Sequence, residues 1–384
     1  MAESQMKILW FVDIMFDTAL DKSTWLETAG YLQRENEVQI VTRYQFRKRQ
    51  FKELNTGVVY IESSKVPFLN RFMTYRNQVR KFEGFCEEFK PDVLLFNTNN
   101  FFLLRKAHKL KKKYGGCAVL DVRTIPVTHS KLRNAAEKYF FRKSVRFAAE
   151  KFSGVTYITE EMKRHCRKKW GLPEHRSLVW PSGVNADKFI PQRKTSDKET
   201  FTLMYHGSMT KNRRLDNLIS ALDLIEPDDI RLLLLGSGKA ESYLKRMASR
   251  LKMDDKVIFH PTVPYEKVPD YINQADAGVL PFQDWEGWNI SSPIKLFEYL
   301  ACGRPVVATK IPAHWNVLQG RDFVFWAEDS TPEKLAEAVI KAYEARDHYE
   351  KLGEKAREFI KHKYTWDIQA VKLERFLKEL KSEP

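Results

Sequence analysis

The sequence predicts an α/β protein made of two doubly wound, parallel-sheet domains. Short apolar runs alternate with amphipathic helical stretches along the chain, which is typical of parallel sheets covered by helices. The 384 residues are also long for one hydrophobic core. A polar stretch at residues 190–199 lacks apolar periodicity and separates two similar halves. We therefore expect Rossmann-like domains at residues 1–190 and 191–365, followed by a C-terminal helix at 366–384 that packs back toward the first domain.

Six strands are expected in each half, with helices between several of them. Those of the first half are residues 7–12, 38–42, 58–61, 93–97, 118–122 and 155–158. Those of the second half are residues 202–206, 231–235, 256–259, 277–281, 305–308 and 323–326. Ligands of open α/β sheets bind beyond the carboxyl ends of the strands, so the residues that follow each strand are the candidates for a site.

Composition indicates a soluble globular protein. Hydrophobic residues make up 43% of the chain and charged residues 30%, and no apolar run approaches the ~18 residues of a membrane span. The N-terminal stretch carries acidic residues and leads into a strand, unlike a signal peptide, so we expect a cytoplasmic location. The four cysteines are far apart and lack metal-ligand spacing, which predicts reduced, mostly buried thiols.

Positive charge is concentrated in the first half of the chain. The net charge is +15, and residues 101–170, the basic region, hold 19 basic and 5 acidic side chains. Tyr139, Phe140 and Phe141 lie among these basic residues. Basic and aromatic side chains together can hold a protein on an anionic membrane, at about 1 kcal/mol per close Lys or Arg. Nucleic acid is the rival partner, and a solvated basic face with its aromatic residues in the core is the plain alternative.

The stretch SSPIKLFEYLACGRPVVAT, residues 291–309, predicts a helix followed by a strand. Ser292 is a favourable N-cap, Pro293 suits the first helical position, and Gly303 suits the left-handed residue past the end. The start of such a helix presents unpaired N–H groups and about half a positive charge, which favours phosphate.

Two charged side chains of this helix suit a nucleotide. Lys295 adds a cation to the first turn, where it opposes the helix dipole unless an anion is also present. Glu298 lies on the same face, and its carboxylate can accept two hydrogen bonds from a vicinal diol such as ribose. A solvated Lys–Glu pair on an ordinary capped helix is the alternative. The loop FQDWEGWNI leads directly into this helix.

Loops after two other strands add candidates. The strand that ends near residue 206 is followed by Gly207, Ser208, Lys211 and Arg213, and guanidinium forks match phosphate geometry. Gly236 opens a GSGK turn that lets the backbone approach a ligand closely. Basic loop residues usually face solvent, and the GSGK turn is not a full dinucleotide fingerprint.

The second half resembles the nucleotide-sugar-binding domain of retaining glycosyltransferases with the GT-B fold, in the glycosyl transferases group 1 or family 4-like class. The matching pieces are YHGSMTKNRRLDNLISAL, LLLLGSGK, VIFHPTVPYEKVPDYINQADAGVLPF and SPIKLFEYLACGRPVVAT, in that order. WPSGVNADKF is similar to the segment before the interdomain crossover of that family, and LDVRTIPV is similar to an Asp-x-Arg-Asp pattern at the interdomain cleft of some members. The resemblance implies a GT-B fold, in which two Rossmann-like domains face a central cleft.

Carried over residue by residue, the resemblance makes Glu298 the ligand of the donor ribose. It makes Arg213, with Lys211 or Lys295, the partners of the pyrophosphate. The full set expected to bind the donor is Gly207, Ser208, Lys211, Arg213, Gly236, Glu286, Asn289, Ile290, Ser291, Ser292, Lys295 and Glu298.

The chain departs from the family pattern at three places, the first being IMFDTALDKSTW, which stands where a glycine-rich loop often follows the first strand. A second, sugar-contacting glutamate would stand at position 290, where this chain has Ile290, so either Glu286 or backbone N–H groups are left to contact the sugar. Thr124 replaces the second acid of the Asp-x-Arg-Asp pattern, and Asp121 and Arg123 are the candidates for catalysis at the acceptor side.

The implied function is a hexosyltransferase that moves a sugar from a nucleotide-diphosphate sugar to a lipid-linked or saccharide acceptor with retention. Fixed cations would stabilise the departing diphosphate, so neither a metal nor a cofactor is expected. The expected partners are the nucleotide sugar, an acceptor glycan or glycolipid and an anionic membrane surface, which would place the protein peripherally at the inner face of the membrane. The alternatives are a nucleotide-sugar epimerase on the same fold, a non-catalytic nucleotide-sugar-binding protein, and a nucleic-acid-binding protein, which is less favoured.

Overall fold

The protein forms two compact units. The computed structural model describes residues 5–15, 23–44, 57–62, 70–126, 131–193 and 200–382. The first unit is Met1–Pro181 together with Trp366–Pro384, and the second unit is Ser182–Thr365.

The first boundary between the units corrects the sequence prediction. It lies between Pro181 and Ser182 instead of after residue 190. The segment that follows Ser182 packs in the second unit, because Phe189 is buried in that unit's core and Arg357 donates a hydrogen bond of 2.7 Å to the Phe189 carbonyl. The polar stretch that suggested the later boundary lies partly outside the described residues.

The first unit contains a parallel sheet of seven strands within the described residues. The strands are β1 (Lys7–Met15), β2 (Glu37–Tyr44), β3 (Val58–Glu62), β4 (Val93–Asn97), β5 (Cys117–Val122), β6 (Gly154–Tyr157) and β7 (Ser177–Val179). The helices are α1 (Ser23–Leu32), α2 (Asn70–Phe89), α3 (Phe101–Tyr114), α4 (Lys131–Lys151), α5 (Glu160–Trp170) and, from the end of the chain, α14 (Trp366–Ser382). The six predicted strands are confirmed, and β7 was missed because three half-buried residues carry no readable periodicity.

The second unit contains a parallel sheet of six strands in the described part of the chain. The strands are β8 (Phe201–His206), β9 (Ile230–Leu235), β10 (Val257–His260), β11 (Ala277–Leu280), β12 (Val306–Thr309) and β13 (Val324–Ala327). The helices are α6 (Leu215–Asp223), α7 (Glu241–Arg250), α8 (Val268–Gln274), α9 (Glu286–Asn289), α10 (Ile294–Ala301), α11 (Pro312–Leu318), α12 (Pro332–Glu344) and α13 (Tyr349–Lys363). All six strands agree with the prediction to within about one residue at each end.

Both sheets have the Rossmann strand order. The order is β3-β2-β1-β4-β5-β6-β7 in the first unit and β10-β9-β8-β11-β12-β13 in the second. The strand order therefore reverses between β1 and β4 and again between β8 and β11, and such switch points are where open α/β sheets bind ligands. The carboxyl ends of β8 and β11 carry residues that the sequence singled out.

The last helix, α14, belongs to the first unit and packs on α1. Its Leu373 and Leu377 are buried in the same core cluster as Trp10 of β1. Phe376 lies against Gly154 of β6, where a Cβ would come within 2.8 Å of the Phe376 ring. Among the helices of the described residues, none combines the length and apolar character needed to cross a membrane. The four cysteines are buried and free of disulfides.

Candidate functional site

The start of α10 differs from the sequence prediction. Pro293, with φ −72° and ψ 111°, is the N-cap residue, and no side chain in the described part of the protein caps the helix. The predicted cap, Ser292, is occupied elsewhere: its hydroxyl accepts a hydrogen bond of 3.1 Å from the Ser182 N–H, and its carbonyl accepts one of 2.9 Å from the Ser182 hydroxyl. Ser292 therefore does not cap the helix, and within the first turn the Leu296 N–H donates a hydrogen bond of 3.0 Å to the Pro293 carbonyl. Gly303, with φ +66°, follows the helix end as predicted.

Two glycines bring the loops after β8 and β9 close together. Gly236 has φ +140°, and a Cβ there would lie 2.2 Å from the Gly207 carbonyl oxygen. Gly207 has φ +112°, and a Cβ there would lie 3.0 Å from Nζ of Lys295. Only glycine suits both positions, and the backbone at Gly207 therefore lies beside the amino group of Lys295. The carbonyl of the next residue, Ser208, accepts a hydrogen bond of 2.8 Å from the Tyr205 hydroxyl.

Lys295 is a buried cation held by aromatic rings. Its side chain projects from the first turn of α10, and Nζ lies 4.2 Å from the ring centroid of Tyr205 and 5.7 Å from that of Phe282. No carboxylate of the described residues lies within ion-pair distance of this amino group. Burial holds the pKa of Lys295 well below its usual value, and the charge of Arg213 lowers it further, while Glu298 opposes the shift.

Arg213 shares the Phe282 ring with Lys295. Its Cζ lies 4.6 Å from the Phe282 centroid and 3.9 Å from the Trp288 centroid. Its Nε has no hydrogen-bond partner among the described residues, and burial lowers the pKa of this guanidinium as well. Lys211, at the start of the same 3₁₀ turn, is exposed. Of the two lysines that the sequence offered as partners of Arg213, the structure therefore brings Lys295 to it.

Glu298 lies at 2% exposure on α10, next to the end of β8. Its Oε2 is 3.1 Å from Nε2 of His206, the last residue of that strand. Burial lowers the pKa of His206, and the hydrogen bond and charge of Glu298 oppose this shift. The backbone N–H of His206 donates a hydrogen bond of 3.0 Å to the Tyr299 hydroxyl, which ties α10 to β8.

The loop between β11 and α10 carries the remaining donor-site candidates. Glu286 begins α9, and Asn289 ends it and donates a hydrogen bond of 2.5 Å to the Asp284 carboxylate. Ile290 is 6% exposed and packs as an apolar residue. The Ser291 hydroxyl donates a hydrogen bond of 2.8 Å to the Trp288 carbonyl. These contacts hold the loop together, and the roles of these residues toward a sugar stay predictions.

Sequence reasoning missed the aromatic and histidine components of this site. Tyr205, Phe282 and Trp288 hold the cations, and His206 contacts the carboxylate. Their only sequence signal is their place at or just after β8 and β11. An apolar strand pattern does not reveal which ring lies under a cation.

Asp121 and Arg123 lie in the first unit, at and just after the end of β5, and both are buried. The Asp121 carboxylate accepts hydrogen bonds of 2.7 Å from the Thr156 hydroxyl and 3.1 Å from Trp180 Nε1. Arg123 lies over the Trp180 ring at 4.1 Å. Burial raises the pKa of Asp121, although the nearby Arg123 lowers it. The structure brings the two residues together in the interior of the unit, and their catalytic role stays a prediction.

Two Rossmann-ordered sheets, one with a buried lysine and a half-buried arginine at its switch point, define a two-domain α/β protein. Two family models match consecutive parts of the chain: Glycosyltransferase Family 4 over residues 23–188 and Glycosyl transferases group 1 over residues 186–359. The chain therefore belongs to the GT-B-fold glycosyltransferases.

Individual relatives agree with this family. The GDP-mannose-dependent monoacylated alpha-(1-6)-phosphatidylinositol monomannoside mannosyltransferase of Corynebacterium glutamicum is 27% identical over 270 residues, which are 63% of this chain and 66% of that protein. The chain thus spans less than two thirds of the curated relatives it matches, and only 36% of a D-inositol 3-phosphate glycosyltransferase of Pseudarthrobacter chlorophenolicus that is 30% identical over 155 residues.

Among solved structures, sucrose-phosphate synthase from Thermosynechococcus elongatus has a TM-score of 0.79 at 15% identity, with 97% of this chain and 99% of that chain covered. The Anabaena protein HepE in complex with UDP-glucose has a TM-score of 0.75 at 16% identity, with 98% and 100% covered. At these identities the likeness concerns the fold, which is two parallel-sheet, Rossmann-like domains.

Proposed function

We propose that this protein transfers a hexosyl unit from a nucleotide-diphosphate sugar to an acceptor, with retention and without a metal. The observation that carries the proposal is the pairing of Arg213 and Lys295 over one Phe282 ring, beside a helix start that no side chain caps. A buried lysine beside a half-buried arginine, without a carboxylate partner among the described residues, is costly unless an anion joins the two cations. A diphosphate meets that requirement, because its negative charge offsets both cations and its oxygens accept the N–H groups of α10.

The same arrangement suits the departure of the diphosphate. Cleavage of the bond between the sugar and the diphosphate builds negative charge on the leaving group, and fixed positive groups in a water-poor site stabilise that charge. Arg213 and Lys295 are held by aromatic rings before the reaction begins, so little reorganisation is required. In this proposal, the two side chains take the role that a divalent metal has in other transferases.

Glu298 is proposed as the ligand of the donor ribose. It lies in the middle of α10, one helical turn beyond Lys295, so that a nucleotide whose phosphates meet the first turn extends its ribose toward the carboxylate. His206 contacts one carboxylate oxygen, Oε2. The second oxygen remains for a ribose hydroxyl.

The relatives differ in donor and acceptor. The Corynebacterium relative is named for GDP-mannose and a phosphatidylinositol mannoside, whereas the Anabaena structure holds UDP-glucose. We therefore leave the base open and propose a lipid-linked or saccharide acceptor.

A membrane surface is proposed as the location of the enzyme because two helices of the first unit carry exposed aromatic residues. Phe102 of α3 is 61% exposed, and Tyr139 and Phe140 of α4 are 60% and 45% exposed. Phe141, the third aromatic residue of the sequence prediction, is buried and packs on Trp170. The same two helices carry the exposed cations Arg105, Arg142 and Lys143, so aromatic rings would enter the lipid interface while cations meet the headgroups.

The function is tested first by ligand binding and then by turnover. Thermal shift with UDP, GDP, ADP, CMP and their common sugars identifies the donor, since a ligand at 100 times its dissociation constant adds about 2.7 kcal/mol. Transfer to glycan and glycolipid acceptors is then followed in chelator, with the anomeric configuration of the product read by NMR. Retained configuration and undiminished rate in chelator are expected. Inverted product, or turnover that requires a divalent metal, would contradict the respective part of the proposal, and sugar isomerisation without an acceptor would favour the epimerase.

A further inference from the structure

Trp288 contacts Arg213 in two ways. The centroid of its ring lies 3.9 Å from the guanidinium carbon of Arg213. Its Nε1–H donates a hydrogen bond of 2.8 Å to the carbonyl of Asn212, the residue directly before Arg213. One side chain thus touches both the charged group and the backbone that carries it.

The rings under Arg213 form one continuous surface. Phe282 and Trp288 lie with their centroids 5.0 Å apart and their planes inclined by 32°. Phe282 is fully buried, and its carbonyl accepts a hydrogen bond of 2.7 Å from the Thr309 hydroxyl at the end of β12. Phe282 is therefore anchored in the sheet, whereas Trp288 comes from the α9 segment and reaches the cation from the loop.

The aromatic contact determines how the guanidinium meets an anion. An arginine that lies over a ring face keeps its N–H groups near its own plane, where they can form a fork with two phosphate oxygens. Arg213 has no carboxylate of the described residues within ion-pair distance that would orient this fork. The ring contacts and the Asn212 hydrogen bond supply that orientation instead.

We propose that Trp288 is a positioning residue that holds the Arg213 fork toward the donor diphosphate; this inference rests on the proposed function. The loop that carries it is the one in which Ile290 replaces the family glutamate and Glu286 stands earlier in the chain. In this protein the loop contributes an indole to the phosphate end of the site. The residue acts through Arg213 and does not itself contact the phosphates.

The test uses two variants to distinguish the ring contact of Trp288 from its N–H hydrogen bond. It uses several ligands to distinguish phosphate binding from nucleoside binding. Trp288→Leu removes both contacts, and Trp288→Phe keeps a smaller ring without the N–H. Dissociation constants for UDP, GDP and inorganic pyrophosphate are measured by calorimetry, beside those for uridine and guanosine. We expect diphosphate and pyrophosphate binding to weaken by about tenfold in Trp288→Leu and about threefold in Trp288→Phe, with nucleoside binding unchanged. Trp315→Leu is the matched control, because that indole also carries a cation, Lys310 at 5.0 Å, elsewhere in the second unit.

A double-mutant cycle decides whether the effect passes through Arg213. In an Arg213→Gln background, Trp288→Leu should add less than a twofold change, because the group that it positions is absent. Full additivity, equal loss of nucleoside binding, or unchanged diphosphate binding in Trp288→Leu would overturn the inference. If Trp288→Leu does not fold, Trp288→Phe decides by the same comparison. A wild-type protein that binds no diphosphate would refute the proposed function itself and this inference with it.

Discussion

Nε2 of His206 lies 3.1 Å from Oε2 of Glu298, which is buried, while the His206 side chain is 12% exposed. Burial lowers the pKa of His206 below its usual value, the nearby Glu298 opposes this shift, and the cations Lys295 and Arg213 add to it. His206 therefore lies against one oxygen, Oε2, of the Glu298 carboxylate.

Glu298→Gln should remove the preference for ribose over deoxyribose. In the wild type, a hydroxyl that donates to a carboxylate gains about 1.5–3 kcal/mol, so 2′-deoxy and 3′-deoxy nucleotides should bind on the order of tenfold more weakly or worse. The amide variant should bind all three nucleotides with similar dissociation constants, as measured by calorimetry. Glu286→Gln is the control, since this loop residue is a candidate for the sugar and not for the ribose. A Glu298→Gln protein that still discriminates as the wild type does would remove Glu298 from the ribose site.

Nucleotide binding should be accompanied by proton uptake at Lys295. Burial and Arg213 hold the pKa of the free lysine well below its usual value, and a bound diphosphate would raise it. Above the pKa of the free lysine, binding must therefore draw a proton from solution, and affinity should fall as the pH rises. Calorimetry in buffers of different ionisation enthalpy measures the uptake directly.

Lys295→Met replaces the lysine with a neutral side chain of similar length. This variant should bind the diphosphate more weakly and take up correspondingly fewer protons. Lys211→Met, which changes an exposed lysine of the neighbouring turn, should keep the proton uptake of the wild type. Equal uptake by the wild type and Lys295→Met would assign the proton to another group.

The strands and the main charged residues of the site were readable from the sequence because their signals are local. Short apolar runs placed all predicted strands, the loop after β8 indicated Arg213, and the Ser-Pro start of α10 indicated Lys295 and Glu298. Strand order in a doubly wound sheet then brings these loops together without further information.

What the sequence did not reveal depends on contacts between distant segments. Ser292 reads as an N-cap, but Ser182, which precedes it by 110 residues, takes both its hydroxyl and its carbonyl. A local capping rule cannot anticipate that competition. Trp288 and Phe282 likewise read as loop and strand-end aromatics, and only the fold places them beneath Arg213.

His314 should make the second unit less stable in acid. Its side chain is fully buried, Nδ1–H donates a hydrogen bond of 2.8 Å to the Thr309 carbonyl, and burial lowers its pKa from 6.5 to about 4. Above pH 6.5 the residue is neutral in both states and adds no pH dependence. Between pH 6.5 and pH 4 the unfolded chain binds a proton that the folded chain does not. The free energy of unfolding therefore decreases as the pH is lowered, by about 3 kcal/mol between these two pH values.

Urea unfolding at several pH values measures the free energy of unfolding of the wild type and of two histidine variants. His314→Gln should lose the acid-dependent part and so show a flatter profile than the wild type, while His348→Gln, which changes an exposed histidine of the same unit, should follow the wild type. Parallel profiles for His314→Gln and the wild type would mean that another group takes up the proton.

The double variant Tyr139→Ser/Phe140→Ser should lose binding to anionic membranes. The two rings are 60% and 45% exposed on α4, and each large apolar side chain that enters the lipid interface contributes about 1.5 kcal/mol or more, so vesicle affinity should fall by tenfold or more. Co-sedimentation with phosphatidylglycerol vesicles measures it. Wild-type binding should weaken with added salt and be absent on phosphatidylcholine alone, because the nearby cations need anionic headgroups.

Tyr243→Ser, at a 39% exposed tyrosine of the second unit, is the control variant and should bind vesicles as the wild type does. Undiminished vesicle binding by the double variant would exclude this patch, and displacement of the wild type from vesicles by short RNA would favour nucleic acid as the partner of the basic region.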